Sequence, residues 1–149
     1  VMFISDIHSL GLKTAQGLLI TEGYYWDKDD LSREFGKKFF ARMNRMPSMN
    51  QASTYSATLH YLKAVKASGT RDTKTVMAKM RELPVRDYFT QNGYLREDGR
   101  MVHSMLLLQV KKPEESKYPW DYYKILAEVP GDKVFRPMKD GGCPLVAGK

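Results

Sequence analysis

The sequence predicts an α/β fold, a sheet flanked by helices with a late β-hairpin, and three observations predict it. Apolar residues recur at helical spacing in consecutive stretches between Leu31 and Leu83. Runs rich in β-branched and aromatic residues lie on either side of that block, at 18–26 and 122–129. Glu97-Asp98-Gly99-Arg100 stands between two extended flanks, Tyr94–Arg96 and Met101–Val110. Its Asp-Gly pair favours a tight hairpin because both residues tolerate positive φ.

The elements follow in order. Val1-Met2-Phe3-Ile4 is an apolar run read as an opening strand, with no initiator, signal or transit segment before it. The chain is therefore expected to be a piece of a longer protein. Ser5-Asp6-Ile7-His8 reads as a loop entering a short helical segment that ends near Gln16-Gly17, with Gly suited to the position after a helix. Leu18 to Thr21 resumes extended structure, and Ile20 to Trp26 is a strand running into an aromatic loop that Asp27-Lys28-Asp29-Asp30 closes. Asp30 is the expected N-cap of a helix carrying Leu31, Phe35, Phe39 and Met43 at i, i+4, and Met46-Pro47 ends it. The next helix is expected to bury a stripe of Tyr55, Leu59, Leu62 and Val65 and to stop at Gly69. Asp72 then caps a shorter helix with Val76, Met80 and Leu83, which Pro84 prevents from continuing. After the hairpin, Lys112 to Ser116 is a loop, Tyr122 to Val129 is one more strand, and the Pro- and Gly-rich remainder is expected to lack regular structure.

Composition narrows the functions. With 149 residues the chain fits one domain, and 42% hydrophobic against 28% charged residues excludes disordered, collagen-like and disulfide-dense classes. The longest apolar stretch, around Met105 to Leu108, falls far short of the roughly 20 residues that span a bilayer. Cys143 is the only cysteine, so no disulfide forms within the chain. The 24 Lys and Arg against 17 Asp and Glu give a net charge of +7, which raises a basic nucleic-acid or anionic-surface binding module as the alternative function. The basic residues come as pairs, Lys37-Lys38 and Lys111-Lys112, interleaved with acids, a pattern that suits a solvated face better than a phosphate-binding one.

Catalytic and cofactor signatures are sparse. Neither GxGxxG nor GxxxxGK[ST] occurs, so no phosphate-cradling loop is expected. His8, His60 and His103 are dispersed without metal-ligand spacing, and no GxSxG elbow accompanies them. A small hydrolase built around His8 or His103 is a third, lesser reading; no cofactor and no metal are expected. Two constellations point to ligand binding instead. Tyr24-Tyr25-Trp26 places three amphipathic rings at a strand exit, where they can cover an organic ligand or pack into a core. Asp6 and His8 offer a carboxylate and an imidazole for charge-assisted hydrogen bonds, with loop capping as the plainer role. Tyr55, at the start of the long helix, joins either group or packs in the core.

Taken together, Thr14-Ala15-Gln16-Gly17-Leu18, Tyr24-Tyr25-Trp26-Asp27, Tyr55-Ser56-Ala57, the hairpin from Leu95 to Met101, and the block Tyr118-Pro119-Trp120-Asp121-Tyr122-Tyr123 resemble the C-terminal half of periplasmic solute-binding proteins. The branch is type I, the leucine/isoleucine/valine type that serves ABC transporters. The resemblance implies a portion of a fold of two α/β lobes joined by three crossovers, in which solute is trapped as the hinge closes. It implies that residues 1–149 hold parts of the second lobe, the hinge crossovers and the returning segments, without the N-terminal half of the first lobe. By position, it implies Asp6 and His8 as solute contacts, Asp6 suiting an amino-acid ammonium, with Tyr24 and Trp26 as cleft walls and Tyr55 as a further contact. The implied partners are an amino acid or small aromatic or organic acid and the permease subunits in the membrane, with no nucleic acid; the implied location is the periplasm. One cleft wall alone leaves much of a solute wet, so the piece is expected to bind weakly, and the surface that meets the missing lobe leaves a homodimer open.

Overall fold

The computed structural model describes residues 2–144 and 146. In chain order the elements are α1 (Ile4–Leu10), α2 (Leu12–Ala15), β1 (Leu19–Glu22), α3 (Asp30–Met43), α4 (Met49–Ser68), α5 (Thr73–Glu82), β2 (Tyr94–Leu95), β3 (Met101–Val102), β4 (Met105–Val110), β5 (Tyr123–Val129) and α6 (Gly131–Val134), with 3-10 turns at Pro113–Glu115 and Met138–Gly141. Strict alternation in β4 buries Leu106, Leu108 and Val110 on one face. That strand is the centre of an antiparallel sheet of order β1-β4-β5, and β2 and β3 form a separate small hairpin. The β1–β4 register sets Ile20 opposite Leu108 and Glu22 opposite Leu106, so a carboxylate shares the core-facing side with three aliphatics. Among the described residues no helix is long and apolar enough to cross a membrane.

The expected opening strand is overturned: residues 4–10 are helical, and the segment expected as a loop, Ser5 to His8, lies inside that helix. Ile4 and Ile7 fall three apart and are both buried, while the Asp6 carboxylate turns back to accept from the Phe3 amide at 2.7 Å, which satisfies a donor that a helix start leaves open. Val1 lies outside the described residues. Asp29, not Asp30, caps α3, its carboxylate accepting from the Ser32 amide at 2.8 Å. Asn44, in a left-handed conformation, ends that helix before Met46-Pro47.

Helix α4 forms as expected and stops at Gly69 with φ 66°, but its buried stripe is Ala52, Ser56, His60 and Ala64, while Leu62 is 55% exposed. Small residues at i, i+4 let the helix lie close to its neighbours, and the polar members are satisfied there: the Ser56 hydroxyl donates to Asp87 and the His60 ring meets the Met80 carbonyl at 2.8 Å. Asp72 caps α5 as expected. The turn at Gly99 (φ 83°) closes β2 and β3, yet the strand expected from Met101 to Val110 breaks at His103-Ser104 and divides between the two sheets. Beyond β5, the stretch expected to be irregular carries the single turn of α6 and the second 3-10 turn.

Candidate functional site

The end of β1 meets the start of α4. Alternation along Leu19-Ile20-Thr21-Glu22 sends the Glu22 side chain inward, where it is 1% exposed. The Tyr123 hydroxyl, from the first residue of β5, donates to its carboxyl at 2.9 Å, and the backbone amide of Met49, the first residue of α4, also reaches it. Burial pushes the Glu22 carboxyl from 4.5 up to about 7 against the lowering effect of those two donors, and the nearby Asp6 charge adds to the rise. Tyr123 is displaced upward as well, by burial first and by Glu22 second. Gly23 follows, with room for no side chain: a Cβ there would stand 2.7 Å from the His103 ring.

A second cluster forms where α1 meets the loop before β5. The His8 imidazole stacks on Trp120 at 4.0 Å with 9° between the planes, and its Nδ1 lies 2.7 Å from the Tyr122 hydroxyl. Trp120 has φ 68°, a left-handed conformation costly for a large side chain. Its surroundings hold it there. The Trp26 indole donates to the Trp120 carbonyl at 3.0 Å, and the Tyr122 amide donates to the same oxygen. The neighbouring Asp121, 2% exposed, accepts from the Lys117 amide and pairs with the Lys111 ammonium. A strained aromatic fixed from three directions presents its face to one exposed histidine.

The five residues singled out in the sequence thus occupy different places. Asp6 faces Phe3 and influences Glu22, whereas His8, two positions on, meets Trp120 and Tyr122; side chains two apart on a helix diverge by about 200°. Trp26 is buried beneath Trp120. Tyr24 is in the core, its hydroxyl donating to the Ser32 carbonyl and its ring stacked on Phe89. Tyr55 sits across Phe35 from Tyr24, in a cluster with Tyr88 that lines a groove of about 830 Å³ with Phe39 and Arg42. Glu22, Trp120 and Tyr122 were not singled out. The signal for Glu22 was its even spacing from Ile20; the Trp120 conformation has no signal in sequence.

The chain belongs to the periplasmic binding protein family, whose model matches residues 1–117. It is similar to the crystal structure of a periplasmic binding protein from Burkholderia mallei, at 46% identity and TM-score 0.95, covering 98% of this chain and 39% of that one. It is also similar to a branched chain amino acid ABC transporter periplasmic ligand-binding protein from Burkholderia xenovorans, at 41% identity and TM-score 0.91, covering 95% and 38%. An amino acid ABC transporter substrate-binding protein from Pseudomonas fluorescens, at 22% identity and TM-score 0.82 over 94% and 37%, shares the fold. The comparison with curated proteins gave no match. The fold is a portion of the two-lobed type I periplasmic binding protein fold, and the chain spans about two fifths of the length of the relatives it matches.

Proposed function

We propose that this chain is the C-terminal part of the extracytoplasmic solute-binding component of an ABC importer, holding parts of the second lobe, the hinge crossovers and the returning segments. It binds an amino acid of the branched-chain type or a small aromatic or organic acid in the periplasm and delivers it to permease subunits by hinge closure, without catalysis. The observation that carries this reading is a pair of carboxyls where the end of β1 faces α1: Glu22, buried and shifted toward neutrality, and Asp6 of α1, whose charge reaches Glu22 and whose one hydrogen-bond partner among the described residues is the Phe3 amide. Asp6 takes the ammonium of the solute, and burial keeps the second carboxyl from doubling the charge. The name of the Burkholderia xenovorans relative, 41% identical, supports the solute class. The His8, Trp120 and Tyr122 rings form a separate aromatic cluster on the other side of α1, suited to a planar aromatic acid rather than to a solute held by Asp6. Trp26 holds that cluster from the core, Tyr24 packs in the core against Phe35 and Phe89, and Tyr55 is a contact only for a solute that reaches the Phe35–Tyr88 groove.

The test is thermal unfolding of the full-length parent with leucine, isoleucine, valine and aromatic acids such as benzoate. Saturable stabilisation by one class is expected, because a ligand that binds only the native state adds to its stability. Asp6→Asn keeps the acceptor for Phe3 and removes the charge, so the response to amino acids falls at least about tenfold while that to benzoate is spared. No stabilisation by any of these solutes would overturn the proposal.

A further inference from the structure

A group of arginines lies away from Glu22 and from His8. A cavity of about 690 Å³, of the size that holds small organic ligands, opens between α4, the β2–β3 turn and the segment after α6, and Arg96, Arg100 and Arg136 all line it. Asp98 is the only carboxylate in the lining among the described residues, and Arg96 consumes it, with two nitrogens at 2.8 and 2.6 Å that hold its carboxyl down to about 2. The third nitrogen of Arg96 donates to the Arg136 carbonyl at 3.0 Å, which ties the hairpin to the late segment and fixes the cavity's shape. The other two guanidiniums have no carboxylate partner among the described residues. Arg100 lies over the Phe135 ring at 5.0 Å and bears on His103, whose pKa burial lowers and the Arg100 charge lowers further.

The rest of the lining has different chemistry. The Ser53 and Thr54 hydroxyls of α4 both donate to the Asn50 carbonyl, so what they have left for a ligand is acceptor lone pairs. The His103 Nδ1 faces the Ser104 carbonyl at 2.7 Å; a carbonyl only accepts, so Nδ1 carries the proton and the neutral ring's Nε2 is an acceptor too. Phe89 and Met101 supply an apolar floor. Cationic donors, neutral acceptors and apolar surface in one lining match one kind of molecule. We propose that this cavity is a second binding site, for a small organic anion that carries carboxylates and at least one hydroxyl: the carboxylates bridge Arg100 and Arg136, and the hydroxyl donates to the α4 wall. This site does not rest on the solute reading above, and a protein indifferent to amino acids would still bind such an acid.

Cys143 lines the same cavity, is partly exposed and is the only cysteine in these 149 residues, so it serves as a reporter. The experiment follows alkylation of Cys143 by iodoacetamide in the full chain, read by mass spectrometry of its peptide, with citrate, tricarballylate (the same acid without the hydroxyl) or sodium chloride of equal ionic strength. Citrate is expected to protect the thiol saturably, tricarballylate about tenfold less well for the lost hydroxyl, and chloride not at all. Arg100→Gln and Arg136→Gln each weaken citrate protection about tenfold. Both side chains are exposed, and an unchanged unfolding temperature confirms that each variant folds. Isothermal titration of citrate into the wild-type chain gives the affinity directly. No saturable heat at millimolar citrate, protection equal to that by chloride, protection unaltered in the double variant, or binding of a duplex oligonucleotide with citrate inert would each overturn the proposal.

Discussion

Replacing Glu22 by Gln isolates the energetic cost of keeping a carboxyl inside this fold. The side chain is 1% exposed, and burial raises its pKa from 4.5 to about 7. The folded chain therefore holds a proton that the unfolded chain has released over that interval. Stability from this group is fully present below pH 4.5 and is lost as pH rises through about 7. At about 1.4 kcal/mol per pKa unit, the loss comes to about 3 kcal/mol by pH 8. Gln matches the neutral carboxyl in shape and still accepts from the Tyr123 hydroxyl, so the variant lacks the penalty at high pH and differs little at low pH. Urea unfolding of both proteins at half-unit steps from pH 4 to 8.5 gives the difference directly, and the contributions of other carboxylates cancel in it. The expected curve has the variant gaining on the wild type by about 3 kcal/mol, with most of the change between pH 4.5 and 7 and a plateau above. A difference that stays flat across the whole range would refute the reasoning, since it would mean that Glu22 ionises in the fold at no more cost than in water.

Three further substitutions test the packing around the sites. Gly131→Ala places a Cβ 2.7 Å from both the His103 carbonyl oxygen and a Val102 methyl, and backbone does not yield, so a loss of about 2–3 kcal/mol is expected by urea unfolding. Lys111→Ala leaves the Asp121 carboxylate buried without its counter-charge; a destabilisation of about 3 kcal/mol is expected, with a changed fluorescence of Trp120 next to it, and an unaltered midpoint would show that the pair is dispensable. Asp29→Ala removes the acceptor for the Ser32 amide at the start of α3 and is expected to cost about 1 kcal/mol, measured as a lower thermal midpoint.

Most of the framework was legible in the amino-acid pattern because it is local. Asp72 before Thr73, Gly69 after Ser68 and the Asp98-Gly99 turn are chemical instructions carried by one or two residues, and each is obeyed. What failed was decided by partners distant in sequence. Tyr55, Leu59, Leu62 and Val65 make the more apolar stripe of α4, but the face that the fold buries is Ala52, Ser56, His60 and Ala64, because closeness to its neighbours is worth more there than apolar area. The apolar run Val1-Met2-Phe3-Ile4 suggests extended structure, but the cap from Asp6 to Phe3 and the Ile4–Ile7 spacing argue for the helix. The site divided in the same way. Asp6 and His8 stand together by chemistry and by the position the resemblance implies, and the structure gives them separate neighbours, Glu22 for one and Trp120 with Tyr122 for the other. Tyr24 looked like a cleft wall, and a hydroxyl bonded to the Ser32 carbonyl places it in the core.

The coupling between Asp6 and Glu22 joins stability to the proposed solute site. The Asp6 charge contributes to raising the Glu22 carboxyl, so whatever neutralises Asp6 lowers it. An ammonium held by Asp6 does this from outside, and near pH 7, where Glu22 is partly protonated, it expels a fraction of a proton. Calorimetric titration of the full-length parent with leucine, in buffers of different ionisation enthalpy, reads that fraction as a slope. The slope is expected to be largest near pH 7 and to disappear there in Glu22→Gln. Asp6→Asn removes the coupling from the other end, so residual binding in that variant carries no proton with it. Proton release that persists undiminished in Glu22→Gln would assign the titration to another group and break the link between the buried carboxyl and the solute.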